Sequence, residues 1–206
     1  MGDPLKRTEG AVTDNGPRAS TTMKSFMDVA FSVIVAECFT RYAEVLLEPS
    51  RHLLSFLAVI ATIGSVVWSY VQFRISLEVW PYLDRPIGYC RFAADLLIVG
   101  LYGYQLYSIR DLLTRGSLCK YTLAFPLVFS LYIASGALRR HEHGTREASR
   151  MGLLVIFFLF FVMIAVGYQV AFARCGPGLV LNGVAVALPT VLIVLYRVLR
   201  GRSNRK

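Results

Sequence analysis

MGLLVIFFLFFVMIAVGYQVAFA, residues 151–173, runs for 23 residues without a charged side chain. A helix rises about 1.5 Å per residue and the hydrocarbon core of a bilayer is about 30 Å thick, so this segment is long and apolar enough to cross a membrane. The whole chain shares its character. Of 206 residues, 55% are apolar and 17% charged, and the mean hydropathy is +0.54. That balance excludes a disordered chain, a collagen-like chain and, with four cysteines, a disulfide scaffold.

Working outward from 151–173, five more stretches have the length of a span: 26–47, 53–73, 87–109, 121–138 and 179–199. The first holds Asp28, Glu37 and Arg41 and falls below a strict hydropathy threshold. The connections between stretches are short and marked by turn residues, including EPSRH, EVWPYLDRP, RDLLTRGS and RCGPG. These features predict an all-α polytopic membrane helix bundle of six transmembrane helices over 23–199. Residues 1–22 are expected to form a flexible tail and 200–206 a basic one.

The formal charge of +9 is a topology signal in such a chain. With the N-terminus inside, 16 of the 22 Lys and Arg residues fall on the inside and six on the outside. Both termini are therefore expected in the cytoplasm, and nucleic acid is not expected as a partner.

Cys38, Cys90, Cys119 and Cys175 show no CxxC pair and no metal-ligand spacing, so no metal site is expected. Cys119 and Cys175 fall in outside loops, where they are either a pair or simply small residues at helix ends. His141 and His143, in RRHEHGTRE, read as a solvated inside loop. No HExxH, GxSxG, Walker-type or GxGxxG pattern occurs in a suitable context, so neither an enzyme nor a cofactor is expected.

Function is sought instead among ionisable groups at membrane depth, which are costly to insert. Asp95 follows Arg91 by one helical turn, the spacing of an intrahelical ion pair, and Arg41 follows Glu37 at the same spacing. At 100° per residue the first stretch carries Asp28, Ser32, Val35 and Phe39 on one face and Phe26, Val33, Glu37, Thr40 and Glu44 on the other. A helix with two polar-bearing faces fits a position between protein and water. Asp28 stands at the depth of Arg74 and Arg91, either of which could neutralise it. In the other helices, Gly100, Gly103 and the small residues of 130–137 read as close helix contacts, while Pro126 and Pro189 are expected to kink or locally open theirs.

Phe26-Met27-Asp28 and the apolar run after it resemble the first helix of the six-helix potassium channels of the transmembrane protein 175 family, whose hallmark is Phe-Ser-Asp. Residues 55–73, with Trp68 before a polar and aromatic run, look like that family's second helix. Met27 replaces the hallmark serine, Thr22 stands where an arginine would precede it, and Val71 takes the place of a histidine. The resemblance implies a homo-oligomer, with a tetramer favoured, in a bacterial plasma membrane. Its potassium or other monovalent-cation pore would be lined by the first helix. Val33 would form the narrowest apolar layer and Thr40 a second, with Glu37 between them, while Phe26, Asp28 and Trp68 would hold the hallmark positions. A competing reading is a non-conducting partner or effector subunit that docks a cytoplasmic protein or anionic lipid through the basic segments 139–150 and 197–206.

Overall fold

In the computed structural model, which describes residues 16–144 and 148–203, the described residues form helices and no strands. Their order is α1 (Gly16–Arg41), α2 (Ala43–Leu47), α3 (Leu53–Val79), α4 (Pro86–Arg115), α5 (Cys119–His143), α6 (Ala148–Cys175) and α7 (Leu179–Ser203). Five of these, α3 to α7, are long and apolar enough to cross a membrane. The first expected span is divided at Tyr42 into α1 and the single-turn α2, and α1 starts at Gly16, within the stretch expected to be tail. Residues 1–15 lie outside the described residues.

Local sequence explains where helices stop. Pro86 occupies the first turn of α4, where its missing N–H costs nothing, and Gly116 ends that helix in the left-handed region at φ 64°. Pro126 and Pro189 lie inside α5 and α7. Both helices continue through them, with the two prolines packed among buried neighbours.

The interior is built from small residues on α3 and aromatic residues on α5, α6 and α7. Ser55, Ala58, Val59, Thr62, Ser65, Val66 and Ser69 recur at helical spacing on the buried face of α3. Thr62 and Ser65 donate to the carbonyls of Ala58 and Ala61, each at 2.8 Å, so their hydroxyls are satisfied without a partner on another helix. Such side chains allow neighbouring helices to approach closely. On α6, Phe157, Phe161, Ala165 and Tyr168 form the buried stripe. Phe161 stacks on Phe125 with centroids 5.4 Å apart and meets Phe129 at 4.5 Å, while Tyr196 of α7 closes on Phe129 and Phe157.

Polar contacts fix the two ends of the bundle. At the α4–α5 end, the Leu118 backbone N–H donates to the Tyr168 hydroxyl at 2.8 Å, and that hydroxyl donates to Asn182 Oδ1 at 2.6 Å. Asn182 Nδ2 then donates to the Gly116 carbonyl at 2.8 Å. The α3–α4 end is organised around Tyr82, buried with Met23 and Leu77. There, helix α5 extends beyond the expected boundary, so His141 and His143 belong to its last turn and not to a loop. His143 lies against the Trp80 ring, with centroids 5.1 Å apart.

Candidate functional site

Two arrangements stand out: the outward face of α1 and a polar network inside the bundle. Helix α1 lies against α3 and α4 through Met23, Met27, Phe31, Cys38 and Tyr42, all buried. Gly103 of α4 faces it with room for a methyl group, since a Cβ there would stand in ordinary contact, 3.8 Å from Ile34 Cδ1. The Tyr42 hydroxyl closes the far end by donating to the Leu106 carbonyl at 2.5 Å.

The opposite face of α1 is left uncovered by the rest of the chain. Val33 is 59% exposed and Phe26 is 55% exposed, and Val29, Glu37 and Thr40 are exposed along the same stripe. Thr40 donates to the Ala36 carbonyl at 3.0 Å, and Ser32 to Asp28 at 2.8 Å. Glu37 pairs with Arg41 one turn later, and the Arg41 guanidinium also stands 5.7 Å from the Tyr107 ring centroid. A groove of about 250 Å3 runs beside this stripe between α1 and α4.

Asp28 finds its partner in Arg74 at 2.7 Å, the first of the two arginines available at its depth. Phe26 meets the edge of Phe92 at 6.0 Å. Trp68 is half exposed and carries the Arg197 guanidinium 5.1 Å from its ring centroid.

The expected intrahelical pair between Arg91 and Asp95 is replaced by two longer-range arrangements. Arg91 Nη1 reaches Glu142 Oε2 at 2.7 Å, Nη2 donates to the Trp80 carbonyl at 2.8 Å, and the guanidinium lies over the Tyr82 ring. Asp95 instead accepts from the Tyr82 hydroxyl at 2.7 Å on one oxygen and from Ser135 at 2.5 Å on the other. The physical reason is the reach of the arginine. Its side chain extends past its own helix to a carboxylate and a carbonyl that would otherwise be buried without a counter-charge or donor.

Glu142, which the sequence places in a solvated loop, is drawn into the bundle. Its Oε1 accepts from the Leu83 N–H at 2.6 Å, and its side chain is fully buried. The signal was present: Ser135, Arg139 and Glu142 follow one another at intervals of four and three, continuing the inner face of α5 past the predicted end of the span. Burial, then the neighbouring Asp95 carboxylate, push the Tyr82 hydroxyl well above its ordinary range, so it remains a donor.

Beneath this network is a cavity of about 100 Å3 lined by residues of α1 and α3 to α7, among them Gln72, Ser76, Arg91, Asp95 and Arg139. Arg139 Nη1 donates to Ser76 Oγ at 2.9 Å across it. The four cysteines are free thiols.

The fold and its five long apolar helices define a multi-pass helical membrane protein. The chain matches no family model, no curated protein and no solved structure.

Proposed function

We propose that this chain is one subunit of an oligomeric, potassium-permeable cation channel in a plasma membrane, with α1 as a sixth span lining the pore and both termini cytoplasmic. One observation carries the reading. The face of α1 that the rest of the chain leaves uncovered bears the Glu37–Arg41 pair and the Thr40 hydroxyl, alongside the apolar helices α3 and α4. A charged pair facing lipid is costly, whereas the same pair facing water at a symmetry axis is not.

Around such an axis, Val33 forms an apolar constriction that an ion passes by shedding part of its hydration shell, with Thr40 making a second ring two turns away. Glu37, between them, contributes negative charge that concentrates cations, and Arg41 tempers it. Second copies of the chain supply the cover for α1, so the functional unit is a homo-oligomer, and the geometry of the resemblance favours a tetramer.

The test is potassium flux into liposomes containing the purified protein, with Val33→Ala and Val33→Asp compared with wild type. The channel reading expects flux from the wild type and a changed rate in both variants. Absence of flux from every version, together with a monomer in detergent, supports instead the non-conducting partner subunit.

A further inference from the structure

We propose that Gln105, Tyr121 and Thr62 form a binding site for an internal water molecule that ties α3, α4 and α5 together. All three residues are sealed from solvent, with Gln105 and Tyr121 at 0% exposure and Thr62 at 1%. Among the described residues, both amide atoms of Gln105 and the Tyr121 hydroxyl have no hydrogen-bond partner. Native interiors rarely tolerate such atoms, because each gives up its bonds to solvent without replacing them.

The three residues come from three helices, Thr62 from α3, Gln105 from α4 and Tyr121 from α5. Thr62 and Gln105 are the side chains that act on the Tyr121 hydroxyl, yet neither is hydrogen-bonded to it. Polar groups that are neighbours without a direct bond are the arrangement a bridging water completes. The remaining surroundings offer nothing in its place. Tyr121 lies in the apolar cluster with Ala58, Val59, Leu106 and Ile109, and its ring meets the edge of Phe125 with centroids 5.2 Å apart.

The inventory of donors and acceptors selects the ligand. Thr62 spends its hydroxyl proton on the Ala58 carbonyl at 2.8 Å, so its oxygen is left to accept. Tyr121 brings one O–H donor, and Gln105 brings an N–H2 donor and a carbonyl acceptor. The ligand must therefore accept and donate at once. A water accepts from the Tyr121 hydroxyl and from Gln105 Nε2 and donates to Thr62 Oγ1, which makes about three bonds, the usual number for a buried water. An ion is disfavoured, since the groups acting on that hydroxyl are neutral and an unpaired charge in an apolar interior is far costlier than a neutral guest. The site lies within one chain, so it goes beyond the channel reading and does not depend on it.

X-ray footprinting of the protein in nanodiscs tests this, because radiolysis splits a held water into a hydroxyl radical beside its partners. Tyr121 should gain oxygen under X-rays although it is fully buried, whereas Phe161, 1% exposed and packed on Phe125 and Phe129, should not. Radicals made in bulk solvent by peroxide photolysis should leave both unmodified. Gln105→Leu, which removes one polar partner, should lower the X-ray labelling of Tyr121 severalfold. Tyr121 as inert as Phe161, labelled at an undiminished rate in Gln105→Leu, or labelled equally by bulk radicals, overturns the proposal. Should Gln105→Leu fail to fold, Thr62→Val removes the acceptor instead, and an undiminished Tyr121 rate in that variant overturns the proposal equally.

Discussion

Arg91 of α4 and Glu142 of α5 meet at 2.7 Å with side chains only 2% and 0% exposed, sealing one charge pair inside the end of the bundle. Desolvation makes such a pair a weak net stabiliser, but removal of one member leaves the other buried and uncompensated. Glu142→Leu alone should cost about 3–5 kcal/mol, and the double variant Arg91→Met with Glu142→Leu should recover most of that loss. Thermal unfolding of the detergent-solubilised protein measures both; a double variant no more stable than the single one would show that the pair's charges are not the cause.

Gly88 has no room for a side chain. A Cβ there would stand 2.1 Å from the Leu83 carbonyl oxygen and 2.9 Å from Glu142 Oε1, one of them backbone. Gly88→Ala therefore displaces the 80–85 connection from α4 and should destabilise by about 1–3 kcal/mol, the usual cost of overpacking. Gly100→Ala, which meets nothing within 4 Å, serves as the control and should leave the melting temperature within a degree or two of wild type.

Cross-linking offers a direct check on the outward face of α1. In a background without Cys38, Cys90, Cys119 and Cys175, Val33→Cys should form an intersubunit disulfide under mild oxidation, whereas Met27→Cys, on the buried face, should not. Equal cross-linking of both positions, or of neither, would remove α1 from the symmetry axis. Under the same reading, Glu37→Gln should lower cation flux most at low salt, with the difference fading as ionic strength rises toward roughly 1 M, where screening reaches about 3 Å.

Alkaline pH should expose the burial of Tyr82. Its hydroxyl holds its proton above the ordinary value of 10, first because it is buried and then because of the negative charge of Asp95, which also accepts its hydrogen bond. The unfolded chain releases that proton at about pH 10 while the folded chain keeps it, so the stabilisation is complete below about pH 10 and declines above it. Between about pH 8 and about pH 11 the wild type should lose more stability than Tyr82→Phe, with melting temperature as the readout. Parallel losses would show that Tyr82 is not the group responsible.

The apolar runs made the bundle legible because a stretch such as 151–173 has one physical solution in a bilayer. Helix ends were harder to read. Glu142 and His143 look like loop residues beside Arg139 and Arg140, yet Arg91 and Trp80 draw another turn of α5 inward, a tertiary contact invisible to local hydropathy. Partner choice failed for a similar reason. Spacing along one helix proposed Asp95 for Arg91, but it could not reveal that Tyr82 and Ser135 would already occupy both carboxylate oxygens. For α1 the wheel did not isolate one face, since Ser32 and Phe39 of one predicted face are exposed together with Val33, Glu37 and Thr40 of the other, while Met27, Phe31 and Cys38 are the buried side.

The hydrogen-bonded chain from Leu118 through Tyr168 and Asn182 to Gly116 also bears on how the protein is made. Synthesis delivers the turn at 116–118 well before the residues that satisfy it, which lie on α6 and α7. Until those last two helices arrive, a backbone N–H and a carbonyl of that turn lack their native partners. The final helix thus acts as a latch on the earlier ones, and a chain interrupted before Asn182 leaves the Gly116 carbonyl without its native donor.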